Sequence, residues 1–326
     1  MSRRHIAISL ITTALLLGAV VTVWYVAHPN TPGSTATTPQ LIADPATPQP
    51  SPSGDTQNAS LSAIPTVPFM NPTDLKTAFE IAASTTRASI PATERPVAGL
   101  VNHHNLAAPL LARFARDLHT VLPETEEIVI LSPDHFNKGP GLSTHDHPYD
   151  TPSGEIEIAT DDVSSLVQRG IASYSPELFK NEHGIGAVVP FLAHEFPNAR
   201  ILPLALRMNR PDATSNLKIA LREALDRPHT FIVISADMSH YLSGDEAFQH
   251  DINTKTWIET CDEQRLWNAT DQNLDSGRSV STLCAALHTD HKTPTFHLTA
   301  HDLSTNYGGD PKSTTSYLTG FWTIKK

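Results

Sequence analysis

Two cysteines in 326 residues, Cys261 and Cys284, exclude a disulfide-dense scaffold and a metal cluster built on several thiolates. They leave two readings open. The pair forms one disulfide if the domain lies outside the cytoplasm, or it supplies two thiols, one of which can ligate a metal. Positive charge is also scarce. Lys plus Arg number 23 against 34 Asp plus Glu, and a net charge of -11 with no long basic run past the N-terminal stub makes nucleic acid a poor partner. Phosphate cradles are missing: there is no GxGxxG and no P-loop lysine motif, and no GxSxG elbow marks a serine nucleophile. Ser235 and Ser239 flank Asp237 near His240, yet nothing in their context marks either as activated. His183-Gly-Ile-Gly186 is too short for a nucleotide loop and reads as a helix entry.

The chain has one long uncharged apolar run, Ile6 to Ala27, after the basic stub Met1-Ser-Arg-Arg-His5. Its length spans a bilayer as a helix, the arginines keep the N-terminus cytoplasmic, and Trp24 and Tyr25 fall at the far interface. The expectation is a single-pass anchor over residues 1–28 with the folded part extracytoplasmic; a cleaved signal peptide is the competing reading. Residues 29–72, rich in Pro, Thr, Ser and Ala, cannot bury enough apolar surface to fold and read as a flexible tether.

Residues 73–326 alternate short apolar runs with helical periodicity. Helices are expected from Asp74 to Ser84, Leu106 to Leu122, Asn216 to Leu225 and, mostly, His250 to Ala269. Strands are expected at Val97–Val101, Ile128–Leu131, Ile201–Leu206 and Thr230–Ile234. This alternation predicts an α/β fold, three-layer α/β/α around a largely parallel central sheet.

Histidine is abundant, at 17 residues, and its placement is informative. Three expected strands run straight into it: Val97–Val101 into Asn102-His103-His104, Ile128–Leu131 into Ser132-Pro-Asp134-His135, and Thr230–Ile234 into Ser235-Ala-Asp237-Met-Ser-His240. Open α/β sheets bind ligands at the carboxyl ends of their strands. Imidazoles gathered there with a carboxylate or thiolate form a transition-metal donor set. The candidates are His103, His104, His135, His183, His240, Asp134, Asp237, Glu182 and Cys284.

The ordered motifs Asn102-His103, Ser-Pro-Asp-His135, Tyr149-Asp-Thr-Pro-Ser-Gly154, Glu182-His183 with Val189-Pro-Phe-Leu192, and Ser235-Ala-Asp237-Met-Ser-His240-Tyr241 resemble the Memo-like family over roughly Arg95 to Trp322. Bacterial members of that family are called AmmeMemoRadiSam system protein B, and its fold is similar to the catalytic subunit of class III extradiol dioxygenases. The resemblance implies a metal held by His103, His135 and Cys284. It places Asp237 and His240 in acid–base roles beside the metal and Glu182 and His183 along the cleft, with Asp134 and His104 as further cofactor-binding candidates. The chain departs from the family pattern where Asn-His-His-Asn replaces Pro-His-Ala-Gly and where Ala285 replaces a glycine after the cysteine. The implied cofactor is one transition-metal ion, iron or copper, with zinc as the alternative. The implied activity is redox or dioxygenase-like chemistry on a small molecule. A metal-dependent hydrolase and a non-enzymatic metal- or ligand-binding module are the other two readings.

Overall fold

A computed structural model describes residues 61–288 and 293–326. The chain enters through β1 (Ile64–Pro65) and α1 (Pro72–Ala83), followed by β2 (Glu94–Val101), α2 (Ala108–Val121) and β3 (Glu127–Pro133). Three short strands come next, β4 (Leu142–Thr144), β5 (Tyr149–Thr151) and β6 (Gly154–Ile156), then α3 (Thr160–Gln168) and β7 (Ser173–Tyr174). Helices α4 (Pro176–Phe179), α5 (His183–Gly186) and α6 (Val189–Glu195) lead to β8 (Arg200–Leu206), α7 (Ala213–Asp226) and β9 (Thr230–Ser235). The carboxyl part holds α8 (Gly244–Glu259), α9 (Glu263–Trp267), α10 (Gly277–Leu287), β10 (Thr295–Leu303) and β11 (Ser316–Lys325).

Eight strands form one sheet in the order β10-β11-β2-β9-β3-β8-β4-β7. The four central strands β2, β9, β3 and β8 are parallel, whereas β10–β11, β11–β2 and β8–β4 pair antiparallel. The fold is therefore mixed α/β, and the largely parallel sheet expected from sequence is parallel in its four central strands and in the edge pair β4–β7, with antiparallel pairs between and beside them. The reason lies in the connections. The central strands are joined by helical crossovers, while the connection between β10 and β11, residues 304–315, holds only the 3-10 turn Ser304–Tyr307 and returns the chain as an antiparallel neighbour. All seven residues of β3 are buried, so both faces of the sheet are covered there. Helix α2 packs against β2 and β11, and α7 and α10 against β9 and β3.

The helices form for local reasons. Asn71 caps α1 by accepting the Asp74 N–H, with Pro72 in the first turn. In α2 one face buries Leu110, Leu111, Phe114, Ala115 and Leu118. Ser243 and Glu246 form a reciprocal capping box on α8. The expected helix His250–Ala269 is broken in two at Cys261, whose left-handed φ of 49° ends the run between α8 and α9.

The tether reading also ends too late. Ile64 and Pro65 pair with Tyr149 and Asp150 of β5, and Ile64 and Met70 are buried, so ordered structure begins before residue 72. The expected membrane anchor, residues 1–28, lies outside the described residues. Among those described, no helix is long and apolar enough to cross a membrane.

Candidate metal centre

The sheet register assembles the site. Val101 at the end of β2 lies beside Ser235 at the end of β9, so His103 and Asp237 each stand two residues beyond the same pair. The result is a bond from the His103 backbone N–H to Asp237 Oδ1 at 3.0 Å. Leu131 of β3 lies beside Ile234 of β9, which brings His135 to the same edge. His183 arrives from another direction, as the first residue of α5. The ligand atoms of His103, His135 and His183 all lie within 4.8 Å of one another. The rings pack accordingly: His135 lies over His183 at 3.9 Å between centroids, and His103 meets His135 edge-on at 4.7 Å.

Hydrogen bonds around the rings fix which nitrogens face inward. Ser235 Oγ donates to the Gly184 carbonyl, so it accepts from His103 Nδ1, 3.0 Å away. His135 Nδ1 lies 2.6 Å from Glu182 Oε1 and donates to that carboxylate. In their neutral forms both rings therefore keep their hydrogen on Nδ1 and turn an Nε2 lone pair toward the centre. The two Nε2 atoms stand 3.1 Å apart. At that separation both cannot carry a hydrogen aimed at the other. Such a pair of inward lone pairs, with outward N–H groups anchored, is the donor chemistry of a metal site. The residues present fit a transition-metal ion.

Glu182 serves the site twice. It takes the His135 backbone N–H on Oε2 and caps α5 by accepting the Gly184 N–H on Oε1. A side chain on Gly184 would place Cβ 2.0 Å from Ser132 Oγ and 3.1 Å from His135 Cε1, so only glycine lets α5 start this close to His135. Burial lowers the His135 basicity, but the carboxylates of Asp275 and Glu182 outweigh it and push its pKa up to about 10. His183 goes the other way, to about 4, through burial and the charge on His135 and His103. It is a neutral donor at neutral pH.

The structure redistributes the residues expected from sequence. His103, His135 and His183 converge, whereas Cys284 does not join them: its sulfur is bonded to Cys261, so it offers no thiolate and is replaced in the cluster by His183. His104 turns away, its Nδ1 bonded to the Tyr317 hydroxyl at 2.7 Å. Asp134 holds its own loop by accepting the Gly139 N–H at 2.6 Å. Glu182 supports His135 and is not aimed at the centre. Asp237 lies beside it, with Oδ2 3.8 Å from His103 Nε2 and 3.9 Å from His240 Nε2. The latter is an ion-pair distance, too long for a hydrogen bond between Asp237 and His240. His240 is instead held by its backbone N–H on the Asp271 carbonyl, and its buried Nδ1 has no hydrogen-bond partner. It lines a cavity of about 230 Å³ together with Asp134, His135, Tyr241, Asp271 and Asp275. Asp275 escaped the sequence reading. It stands in the loop before α10, where no strand end or periodic pattern marks it.

Fold and site together define a class: a mixed α/β protein with an imidazole cluster at the carboxyl edge of its sheet, able to hold a metal ion. Comparison gives the family. The Memo-like protein model matches residues 82–321, and the chain belongs to that family. It is similar to MEMO1 family proteins of Caldivirga maquilingensis, 28% identical over 149 residues (44% of this chain, 52% of the relative), and of Archaeoglobus fulgidus, 28% over 136 residues (41% and 52%). The MEMO1 family protein of Aquifex aeolicus is 29% identical over 131 residues (39% and 48%). The chain spans about half the length of these curated relatives. All three clustered histidines, Asp237, His240 and Asp275 fall within the span that the family model matches.

Proposed function

We propose that this protein holds one transition-metal ion, iron or copper, and uses it for redox chemistry of dioxygenase type on a small molecule. The observation behind this reading is the approach of two anchored imidazoles, Nε2 to Nε2 at 3.1 Å, with His183 beside them. When bound, the ion supplies Lewis acidity and open coordination positions for oxygen or substrate. The chain supplies the rest. Ser235 and Glu182 keep His103 and His135 in the ligating tautomer. His240, on the cavity wall, is the group placed to move a proton, and Asp237, 3.9 Å from its Nε2, stabilises the cation that results. The similarity of the family fold to class III extradiol dioxygenases supports the reaction class. Zinc in the same nitrogen-rich site would make bound water the nucleophile of a hydrolase, which is the second reading.

The domain is proposed to work outside the cytoplasm, tethered by the apolar stretch Ile6–Ala27. The Cys261–Cys284 disulfide supports this, since such bonds persist in oxidising compartments. The deciding experiment measures metal content by mass spectrometry on the wild type and on His103→Ala/His135→Ala. Stoichiometric iron or copper that disappears in the double variant is expected. Equal metal in both proteins would refute the assignment, and zinc with esterase or amidase activity would move it to the hydrolase reading.

A further inference from the structure

The geometry points to Asp275 as the anionic metal ligand that completes this centre. The inference rests on the metal-centre reading and adds to it a residue in an unremarked loop. Three atoms carry it: His103 Nε2, His135 Nε2 and Asp275 Oδ2. Their separations are 3.1 Å between the nitrogens, 3.2 Å from His103 to the carboxylate and 3.8 Å from His135 to the carboxylate. A triangle of those sides has a centre roughly 2.0 Å from each corner, which is the bond length a transition metal makes to imidazole nitrogen and carboxylate oxygen.

Charge selects the same residue. Three neutral imidazoles leave a divalent ion uncompensated. Glu182 has both oxygens occupied on His135 and Gly184. Asp237 gives Oδ1 to the His103 N–H and keeps Oδ2 at 3.8 Å. Asp275 brings its oxygen nearest, and its other oxygen, Oδ1, is buried without a partner. The loop is built to hold it there. The Asp275 N–H donates to the Asp237 carbonyl and the Asp237 N–H to Asp275 Oδ2. Two residues later a Cβ on Gly277 would meet the Leu266 carbonyl at 2.4 Å, so α10 starts hard against α9 and leaves Asp275 little room to retreat. Two histidines and a carboxylate on one face form the donor set of non-haem iron sites, and His183 adds a third imidazole. With the cysteine closed in a disulfide, an oxygen donor in the anionic place favours iron or zinc over thiolate-held copper.

The test titrates the full-length protein with Co(II), reading bound metal and the visible absorption bands of the ion. Wild type, Asp275→Asn, Asp275→Glu and His103→Ala are compared. Loss of an outer hydrogen-bond partner weakens metal about 10- to 100-fold, so a ligand should cost more. Asp275→Asn is expected to bind Co(II) more than ~100-fold more weakly and with altered bands, and Asp275→Glu to recover binding with bands shifted from wild type. Undiminished affinity and an unchanged spectrum in Asp275→Asn, with binding lost in His103→Ala, would overturn the Asp275 assignment and leave the metal centre standing. If Asp275→Asn fails to fold by circular dichroism, Asp275→Glu decides, and a wild-type spectrum there overturns the proposal. No Co(II) bound by the wild type would overturn the metal centre itself.

Discussion

Strand β3 begins and ends in ionisable clusters, each with a buried member, and the two differ in kind. At its amino end Glu127 meets Arg227 at 2.6 Å and Arg200 at 3.5 Å, while Arg227 also binds Asp162. Each acid there has a guanidinium, although Arg227 Nε is itself buried without a hydrogen-bond partner. At its carboxyl end His135 and His103 aim acceptors at one another, and Asp275 and His240 keep buried atoms without partners. The amino edge also has the larger cavity, about 430 Å³ between Arg95, Arg227 and His229, against about 230 Å³ at the histidine edge. Volume is thus a poor guide to the chemistry here. A cluster in which every acid meets a cation is structural; one in which two imidazoles, each anchored from outside, turn acceptors toward one another is complete only with something added.

The comparison can be broken at several points. The largest effect on stability should come from the bond that sequence reading set against metal ligation. Cys261→Ala/Cys284→Ala is expected to lose about 2–4 kcal/mol of unfolding free energy while keeping stoichiometric metal. Chemical denaturation and metal analysis on one sample check both, and loss of metal from a folded variant would return Cys284 to the site. Next in size is Glu182→Gln. It keeps the shape but leaves the His135 Nδ1–H on a neutral acceptor, and metal affinity should fall about 10- to 100-fold, read by chelator competition. Glu127→Gln at the other end of the same strand should leave metal affinity unchanged. Equal losses from the two substitutions would erase the distinction between the ends.

Much of this was legible before the structure. Continuous apolar runs ending in histidine marked β2, β3 and β9, and a parallel centre follows from strand–helix alternation, so His103, His135 and Asp237 could be placed on one edge. The antiparallel flank was hidden, because β10 and β11 carry no pattern that distinguishes a hairpin from a crossover. His183 was readable as a helix entry and a cleft residue, but only the packing of α5 against β3 makes it a third imidazole in the cluster. Asp275 left no signal: its position depends on how α9 and α10 meet, a long-range contact invisible to periodicity. Cys284 misled for the opposite reason. Its chemistry suits a ligand, and only the geometry of α10 shows it bonded to Cys261.

The smallest expected effect tests whether the amino end is self-sufficient as a structural cluster. Burial pushes the Glu127 carboxyl up to about 7, a rise that the charge of Arg227 opposes and the neighbouring Asp162 reinforces. A carboxyl whose folded pKa lies above its unfolded value of 4.5 binds its proton more tightly in the folded protein. The stability it contributes is therefore complete below pH 4.5 and is lost as the pH rises toward 7. The guanidiniums of Arg227 and Arg200 favour the ionised form and so limit that loss, which is read as the fall in unfolding free energy across the window. Glu127→Gln cannot ionise, so its unfolding free energy should fall less between pH 4.5 and 7 than that of the wild type. Urea denaturation at half-unit steps would measure the difference. Parallel profiles for the two proteins would mean that the arginines hold Glu127 ionised throughout, and the amino end would then be more fully paired than its burial implies.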